Sequence, residues 1–508
     1  MTKQEIAAQA YKECCSAETT AHHGGFGRPF WNVHAFQFMY VPSFQFQPIP
    51  GCEFYRFSAK DKNGKIHTFD ADNPSALLTD IWGDLPEGVV ELTVRTADGD
   101  GLLVGARTFY KTAPFCAGLP GAVRPYGECA SRAFEYIINL DYVRYWLDHG
   151  VPDPGYILNA YPSKTHSAII ETVLNSMSLF PDRAADMLKI AKNAADYLLS
   201  ITPDGGPMNG VPPTYKLDCC DSAEEGLGGL VNDRSDTVMT IYPSYVGRAY
   251  LSLEEKTGEK RYLDAALKIG EFYLDKVLES GSWFIMLDSK TGSPVSFNLC
   301  DPLVNIVPFL MKLYSRTGDS KWDTLAKNAI SYVEKNSLEQ YNWEGQFEDS
   351  GLSDNYSNLT HFGASALARY YAEYYSDDEA RMKTAEELMR FVEDQFVVWE
   401  KPAPWNKSGF DTSLFLAPCG LEQYNWHVPI DSSTAGIALS FLSLYKAGRG
   451  EIYLEKARAL MNSVTRAQRE DGMIPTHWMD EKSLAGDNFW VNCMIYTAGA
   501  LQTMAEFE

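Results

Sequence analysis

One short phrase returns three times along this chain. Lys256-Thr-Gly-Glu-Lys-Arg-Tyr-Leu-Asp-Ala-Ala is echoed by Arg316-Thr-Gly-Asp-Ser-Lys-Trp-Asp-Thr-Leu-Ala and by Lys446-Ala-Gly-Arg-Gly-Glu-Ile-Tyr-Leu-Glu-Lys-Ala. In each copy a glycine follows an apolar helical stretch, polar residues turn the chain, and an aromatic opens an amphipathic stretch. Glycine suits the left-handed residue that ends a helix. The repeated unit is therefore a helical hairpin, and a recurring unit constrains architecture more than any single motif does.

Helical periodicity runs from about residue 120 to the end of the 508 residues. It predicts helices near 123–149, 164–179, 181–201, 237–256, 259–279, 301–316, 320–336, 359–375, 377–398, 431–446, 450–469 and 487–506. Alternate helices differ in kind. The stretches Ala435 to Tyr445 and Val304 to Tyr314 are apolar almost all round, which predicts burial on every side. Ile452 to Val464 has one apolar stripe (Leu454, Ala457, Met461, Val464) and a charged face, which predicts an outer position. About six hairpins of inner and outer helices describe a closed toroid. The apolar stretch Asn488 to Met504 lacks an outer partner after it, and the helix near 123–149 lacks an inner partner before it. Packing the two together closes the ring, whereas an open solenoid needs polar capping helices.

Residues 31–118 change period. Phe36-Gln-Phe-Met-Tyr-Val and Phe44-Gln-Phe-Gln alternate apolar and polar residues. Glu53 to Lys60 leads into the turn Asp61-Lys-Asn-Gly-Lys, and Val89 to Thr96 leads into Ala97-Asp-Gly-Asp-Gly. A period of two, broken by Asn-Gly and Asp-Gly turns, predicts short strands in a small β-sandwich. The run Leu85 to Gly101 resembles a fibronectin type III or immunoglobulin-like module. Residues 1–30 predict a short helix, Gln4 to Cys15, and a loop. The expected class is thus mainly α: an (α/α)6 toroid over 119–508, a small N-terminal β-sandwich over 31–118, and a leading segment 1–30.

Net charge is −23, with a pI near 4.8, so nucleic acid and anionic membranes are poor partners. No secretory signal is read at Met1 to Ala10, which predicts a cytoplasmic protein, or a periplasmic one where a leader has been removed. No stretch has the unbroken apolar length of a membrane span. There is no Cys-x-x-Cys, no metalloprotease spacing, no phosphate loop and no dinucleotide fingerprint. No cofactor and no metal are expected.

The connections from outer to inner helices are long, at about 202–236, 280–300, 337–358, 399–430 and 470–486. All fall on the rim where inner helices begin, and long loops in compact domains are usually functional. They gather carboxylates and aromatic rings, which suits acid/base work on sugars stacked against ring faces. Glu348 and Asp349 are candidate proton donors, with a solvated acidic loop as the other reading. Glu422 is the candidate base or nucleophile, or a loop-holding ion pair. Arg234 can clamp a carboxylate bidentately, or pair with Asp233 or Asp236. His361, His427 and the weaker candidate His166 are substrate contacts or structural hydrogen bonders. Trp405, Tyr424 and Trp426 are stacking candidates, at least one of them core. Asp354 stays open, while Asp431 and Asp236 are read as helix N-caps.

This architecture resembles the toroidal glycoside hydrolases and lyases that act on uronic-acid sugars. The strings Gly345-Gln-Phe-Glu-Asp and Glu422-Gln-Tyr, then Pro429-Ile-Asp-Ser-Ser, resemble glycoside hydrolase family 154. That resemblance implies a β-glucuronidase releasing a terminal, β-linked glucuronic acid from an oligosaccharide or polysaccharide. A polysaccharide lyase, with Tyr or His taking the C5 proton, is the alternative enzyme. A non-catalytic carbohydrate-binding scaffold is the alternative of another class. The β-region is expected to brace the toroid or form an interface, such as that of a homodimer.

Overall fold

The computed structural model describes residues 1–16, 30–97, 101–220, 234–346, 354–404, 415–479, 483 and 490–508. Helix α1, Lys3–Cys14, opens with a capping box between Thr2 and Glu5. A short helix α2, Thr79–Trp82, lies among the strands. From Tyr126 on, helices alternate between two concentric layers.

The inner layer is α5 (Pro162–Ser176), α7 (Tyr242–Thr257), α9 (Ile306–Thr317), α11 (Phe362–Tyr374), α13 (Asp431–Lys446) and α15 (Val491–Met504). The outer layer is α3 (Tyr126–Asn139), α6 (Ala184–Ile201), α8 (Lys260–Lys276), α10 (Ser320–Tyr332), α12 (Glu379–Phe396) and α14 (Glu451–Ala467). Helix α4, Asp141–His149, continues from α3 after a break at Leu140, so the single helix expected over 123–149 is two. The last inner helix, α15, packs on the first outer helix, α3, and on the first inner helix, α5. The ring is closed as the apolar ends require.

The repeated phrase marks the tight face. Gly258 and Gly318 end α7 and α9 at φ +73° and +70°, and their N–H groups donate to Glu254 O and Tyr314 O. Gly448 follows α13 at φ +78°. A left-handed residue costs glycine little and reverses the chain at once, so the next helix packs antiparallel on the last. Asp319 and Asp378 then cap α10 and α12.

The β-region differs from expectation. It is one five-stranded sheet, ordered β1-β5-β4-β2-β3: β1 Gln37–Phe38, β2 Tyr55–Lys60, β3 Ile66–Ala71, β4 Gly88–Thr96 and β5 Leu103–Lys111. Strand β1 runs parallel to β5 and the remaining pairs are antiparallel. Among the described residues no second sheet covers its apolar face. Tyr55, Phe57, Val90, Leu92, Val94 and Phe109 pack instead under Phe38, Phe44 and Trp82. Phe38 meets Phe109 edge-on at 5.7 Å, and Trp82 stacks on Phe109 at 6.0 Å.

This region is anchored to the toroid through the end of α12. Gln37 and Gln395 exchange side-chain-to-carbonyl hydrogen bonds of 3.2 and 3.0 Å. Asp394 accepts from the backbone N–H groups of Met39 and Tyr40. Glu393 accepts from Tyr40 Oη at 2.9 Å, Trp399 Nε1 at 3.0 Å and Lys456 Nζ at 2.6 Å.

Candidate active site in the toroid lumen

The six inner helices enclose a cavity of about 780 Å³. It is lined from His361, just before α11, to Tyr374 at its end, 13 steps along the helix and so about 20 Å of depth at 1.5 Å per residue. The lining side chains form helical stripes: Lys164, Ala168, Glu171 and Asn175 on α5; Phe362, Ala366, Arg369 and Glu373 on α11; Ser432, Gly436 and Leu439 on α13. Spacings of three and four put such residues on one helix face. The inner helices are therefore not buried on every side, as their composition predicts. Each keeps one polar or small stripe toward the lumen.

At the mouth, Glu422 enters from the loop before α13 and is half-buried. His361 is the residue before α11 and is 1% exposed. Its Nδ1 lies 3.4 Å from Ser365 Oγ, and its Nε2 has no hydrogen-bond partner among the described residues. Burial pulls its pKa down to about 3, so the imidazole is neutral. Lys164, on the first turn of α5, holds its Nζ 4.4 Å from the Trp490 ring and 5.9 Å from that of Tyr242. Asn305, Gln346 and Asn492 complete the polar mouth. Among the described residues, none of the six inner helices has a side-chain hydrogen bond at its N-cap.

Deeper down, Arg248 stands over Tyr245 at 5.5 Å, and its buried Nε has no partner among the described residues. Arg369 Nη2 lies 3.6 Å from Glu373 Oε1, so the floor neutralises itself.

Asp431 is fully buried beside the mouth. It is the first residue of α13 rather than its cap: the cap position is Ile430, and Asp431 Oδ2 accepts from Thr497 Oγ1 at 2.9 Å. Burial, then the nearby charge of Glu422, pushes its pKa well above the usual carboxylate range. Asp236 caps no helix either. It precedes the strand Thr237–Met239 and pairs with Lys290 at 2.7 Å.

Of the residues singled out from sequence, Glu422 and His361 line the lumen. Glu348, Asp349 and Trp405 lie outside the described residues. His166 faces away from the lumen and packs edge-on against Trp146 and Tyr197, at 5.2 and 5.5 Å. Tyr424 and His427 are core braces: Tyr424 Oη donates to Gln395 Oε1 at 2.7 Å, and His427 Nε2 sits 3.1 Å from Gln395 O. Trp426 packs with Val428, Ile430 and Met479. Asp354 is exposed in a turn closed by the N–H of Ser357. Arg234 lies beside the same strand as Asp236, its carbonyl accepting from Thr237, and does not line the cavity.

Lys164, Arg248 and Arg369 are the functional candidates missed from sequence. Their signal was a cation on a helix otherwise apolar, as in Val246-Gly-Arg248-Ala-Tyr-Leu and Ala366-Leu-Ala-Arg369. Such a cation must face water, a partner or a ligand.

No family model matches the chain, and no curated protein matches its sequence. Solved structures do match in fold. A sugar epimerase from a ruminal bacterium superposes with a TM-score of 0.51 at 13% identity, covering 74% of this chain and 98% of its own. The cellobiose 2-epimerase from Spirochaeta thermophila gives 0.50 at 12% identity, covering 75% and 98%. A family 76 glycoside hydrolase from a bovine Bacteroides thetaiotaomicron strain gives 0.49 at 11% identity, over 89% and 93%. The two epimerases share the α/α toroid with this chain.

Proposed function

We propose that this chain is a carbohydrate-active hydrolase that removes a terminal uronic acid, β-linked glucuronic acid above all, with Glu422 as one of two catalytic carboxylates. One observation carries the reading. The lumen mouth is lined by the Glu422 carboxylate, the ring of Tyr242 and the cation of Lys164, which Trp490 backs from beneath. Rings stack on sugar faces, a carboxylate serves as base or nucleophile, and a cation answers an acidic sugar. The second carboxylate is assigned on sequence to Glu348 or Asp349, two and three positions beyond the lumen residue Gln346.

A panel of aryl glycosides that includes the β-glucuronide tests this directly. The β-glucuronide should be cleaved, and Glu422→Gln should lower turnover by roughly 10²–10⁴-fold, the usual worth of a positioned acid or base. Glu348→Gln and Asp349→Asn identify the partner carboxylate by the same loss. A Glu422→Gln protein that keeps full turnover refutes the assignment.

A second reading rests on His361. A lumen imidazole whose Nε2 has no partner among the described residues is placed to take a proton from carbon beside a sugar carbonyl, the step that sugar isomerisation or epimerisation requires, once a bound substrate raises its low pKa. Conversion of a free aldose, abolished by His361→Asn and unaccompanied by glycoside cleavage, would replace the hydrolase with this reading.

A further inference from the structure

The lumen has two unlike sides. In ring order the inner helices run α5, α7, α9, α11, α13, α15, so α5 and α7 stand opposite α11 and α13. Glu422 and His361 belong to the α11–α13 side. Lys164 and Arg248 belong to the α5–α7 side, which also carries Glu171, and neither has this or another carboxylate within ion-pair distance among the described residues. The third lumen cation, Arg369, does have one, in Glu373. Arg248 lies six residues beyond the start of α7, about 9 Å below the mouth at 1.5 Å per residue.

We propose that Lys164 and Arg248 form an anion subsite on the α5–α7 side of the lumen that holds the carboxylate of a uronate sugar. Several observations converge on it. A cation left without a counter-ion inside a cavity is costly unless a ligand supplies the charge. Arg248 offers the planar fork that fits a carboxylate, and Lys164 adds a point charge nearer the mouth. Tyr245 and Tyr242 place aromatic faces against these two cations, and the buried Nε of Arg248 has no partner among the described residues. The inner helices all start at this mouth without side-chain caps, so their positive dipole ends favour the same charge. The whole chain carries −23, so attraction for an acidic sugar has to be local. The subsite replaces Arg234, which lies off the cavity, as the carboxylate clamp.

The inference rests on the sugar-processing reading of the lumen, and its test separates the two. D-glucuronate and D-glucose are titrated calorimetrically into the full chain and into Arg248→Gln, Lys164→Gln and Arg248→Lys. Unchanged circular dichroism and melting temperature establish that each variant is folded. Glucuronate should bind roughly tenfold tighter than glucose, the scale of one charge-assisted pair. Arg248→Gln and Lys164→Gln should each erode that preference while glucose affinity stays unchanged, and Arg248→Lys should retain part of it. Equal binding of the two sugars, equal loss of both in the variants, or binding of neither overturns the subsite. Aryl β-glucuronide hydrolysis is followed on the same preparations. Hydrolysis without any charge preference overturns the subsite and spares the hydrolase. A glucuronate preference lost in Arg248→Gln, without cleavage of any aryl glycoside, supports the subsite and overturns the hydrolase.

Discussion

Asp431 and Glu422 share one end of the lumen, yet only Glu422 reaches it. Asp431 has a folded-state pKa raised first by burial, which outweighs the hydrogen bond from Thr497 and those from the backbone at the start of α13. A raised carboxyl contributes stability that is full below its unfolded value, near pH 4, and is lost as pH climbs through the folded value. Asp431→Asn keeps an oxygen for Thr497 and removes the titration. Its melting temperature should therefore gain on the wild type between pH 5 and pH 8, and a constant difference over that range would refute the assignment. His166 works in the opposite sense. Burial between Trp146 and Tyr197 takes its pKa down to about 3, so the folded protein holds it neutral while the unfolded chain protonates near 6.5. Its stability contribution is present above pH 6.5 and declines below it by about 1.4 kcal/mol per pH unit. His166→Phe fits the same aromatic slot, and chemical denaturation at pH 4.5 and 7 should show a shallower acid loss by that slope.

At the scale of elements, the helices were legible because a buried stripe every 3.6 residues leaves an unmistakable pattern, and the glycine turns fixed which ends are tight. The lumen was not legible. A stripe such as Ser432, Gly436 and Leu439 differs little from core, because small residues serve both close packing and a cavity wall. The β-sandwich was misread for a related reason. Alternation in β4, with Val90, Leu92 and Val94 inward, records that one face is buried and not what buries it. Here Trp82 and Phe38 do so, where a second sheet was expected. Small residues also set how closely inner helices approach. A Cβ added at Gly247 of α7 would come 2.7 Å from Phe309 Cζ of α9, well inside contact distance. Alanine would gain up to about 1 kcal/mol in helix propensity, but overpacking a closed ring costs about 1–3 kcal/mol. Gly247→Ala should thus be net destabilising, measured as a lower urea midpoint. An unchanged or higher midpoint would mean that α7 and α9 can separate freely.

The whole molecule ties its β-region to the rim that carries Glu422. Gln395, at the end of α12, reaches Gln37 on one side and Tyr424 and His427 on the other, and these two lie in the loop that delivers Glu422. The sheet thereby braces the toroid, and the rim residues read from sequence as sugar contacts act as its struts. Two residues earlier on α12, Glu393 pairs with Lys456 of α14, side chains each 2% exposed, in the buried ion pair that joins Tyr40 to both helices. Removing only the cation strands a carboxylate that Tyr40 and Trp399 cannot neutralise, a loss of about 3–5 kcal/mol for a broken buried pair. Replacing both partners removes the stranded charge as well. Lys456→Met should therefore unfold at markedly lower urea, and Glu393→Gln combined with Lys456→Met should recover much of the difference. Because Met39 and Tyr40 hang from the same cluster, limited proteolysis of Lys456→Met should cut first in the segment around residues 36–46. A single variant as stable as the wild type, or a double variant no better than the single, would show that the hydrogen bonds around Glu393 hold the two parts together without the charge.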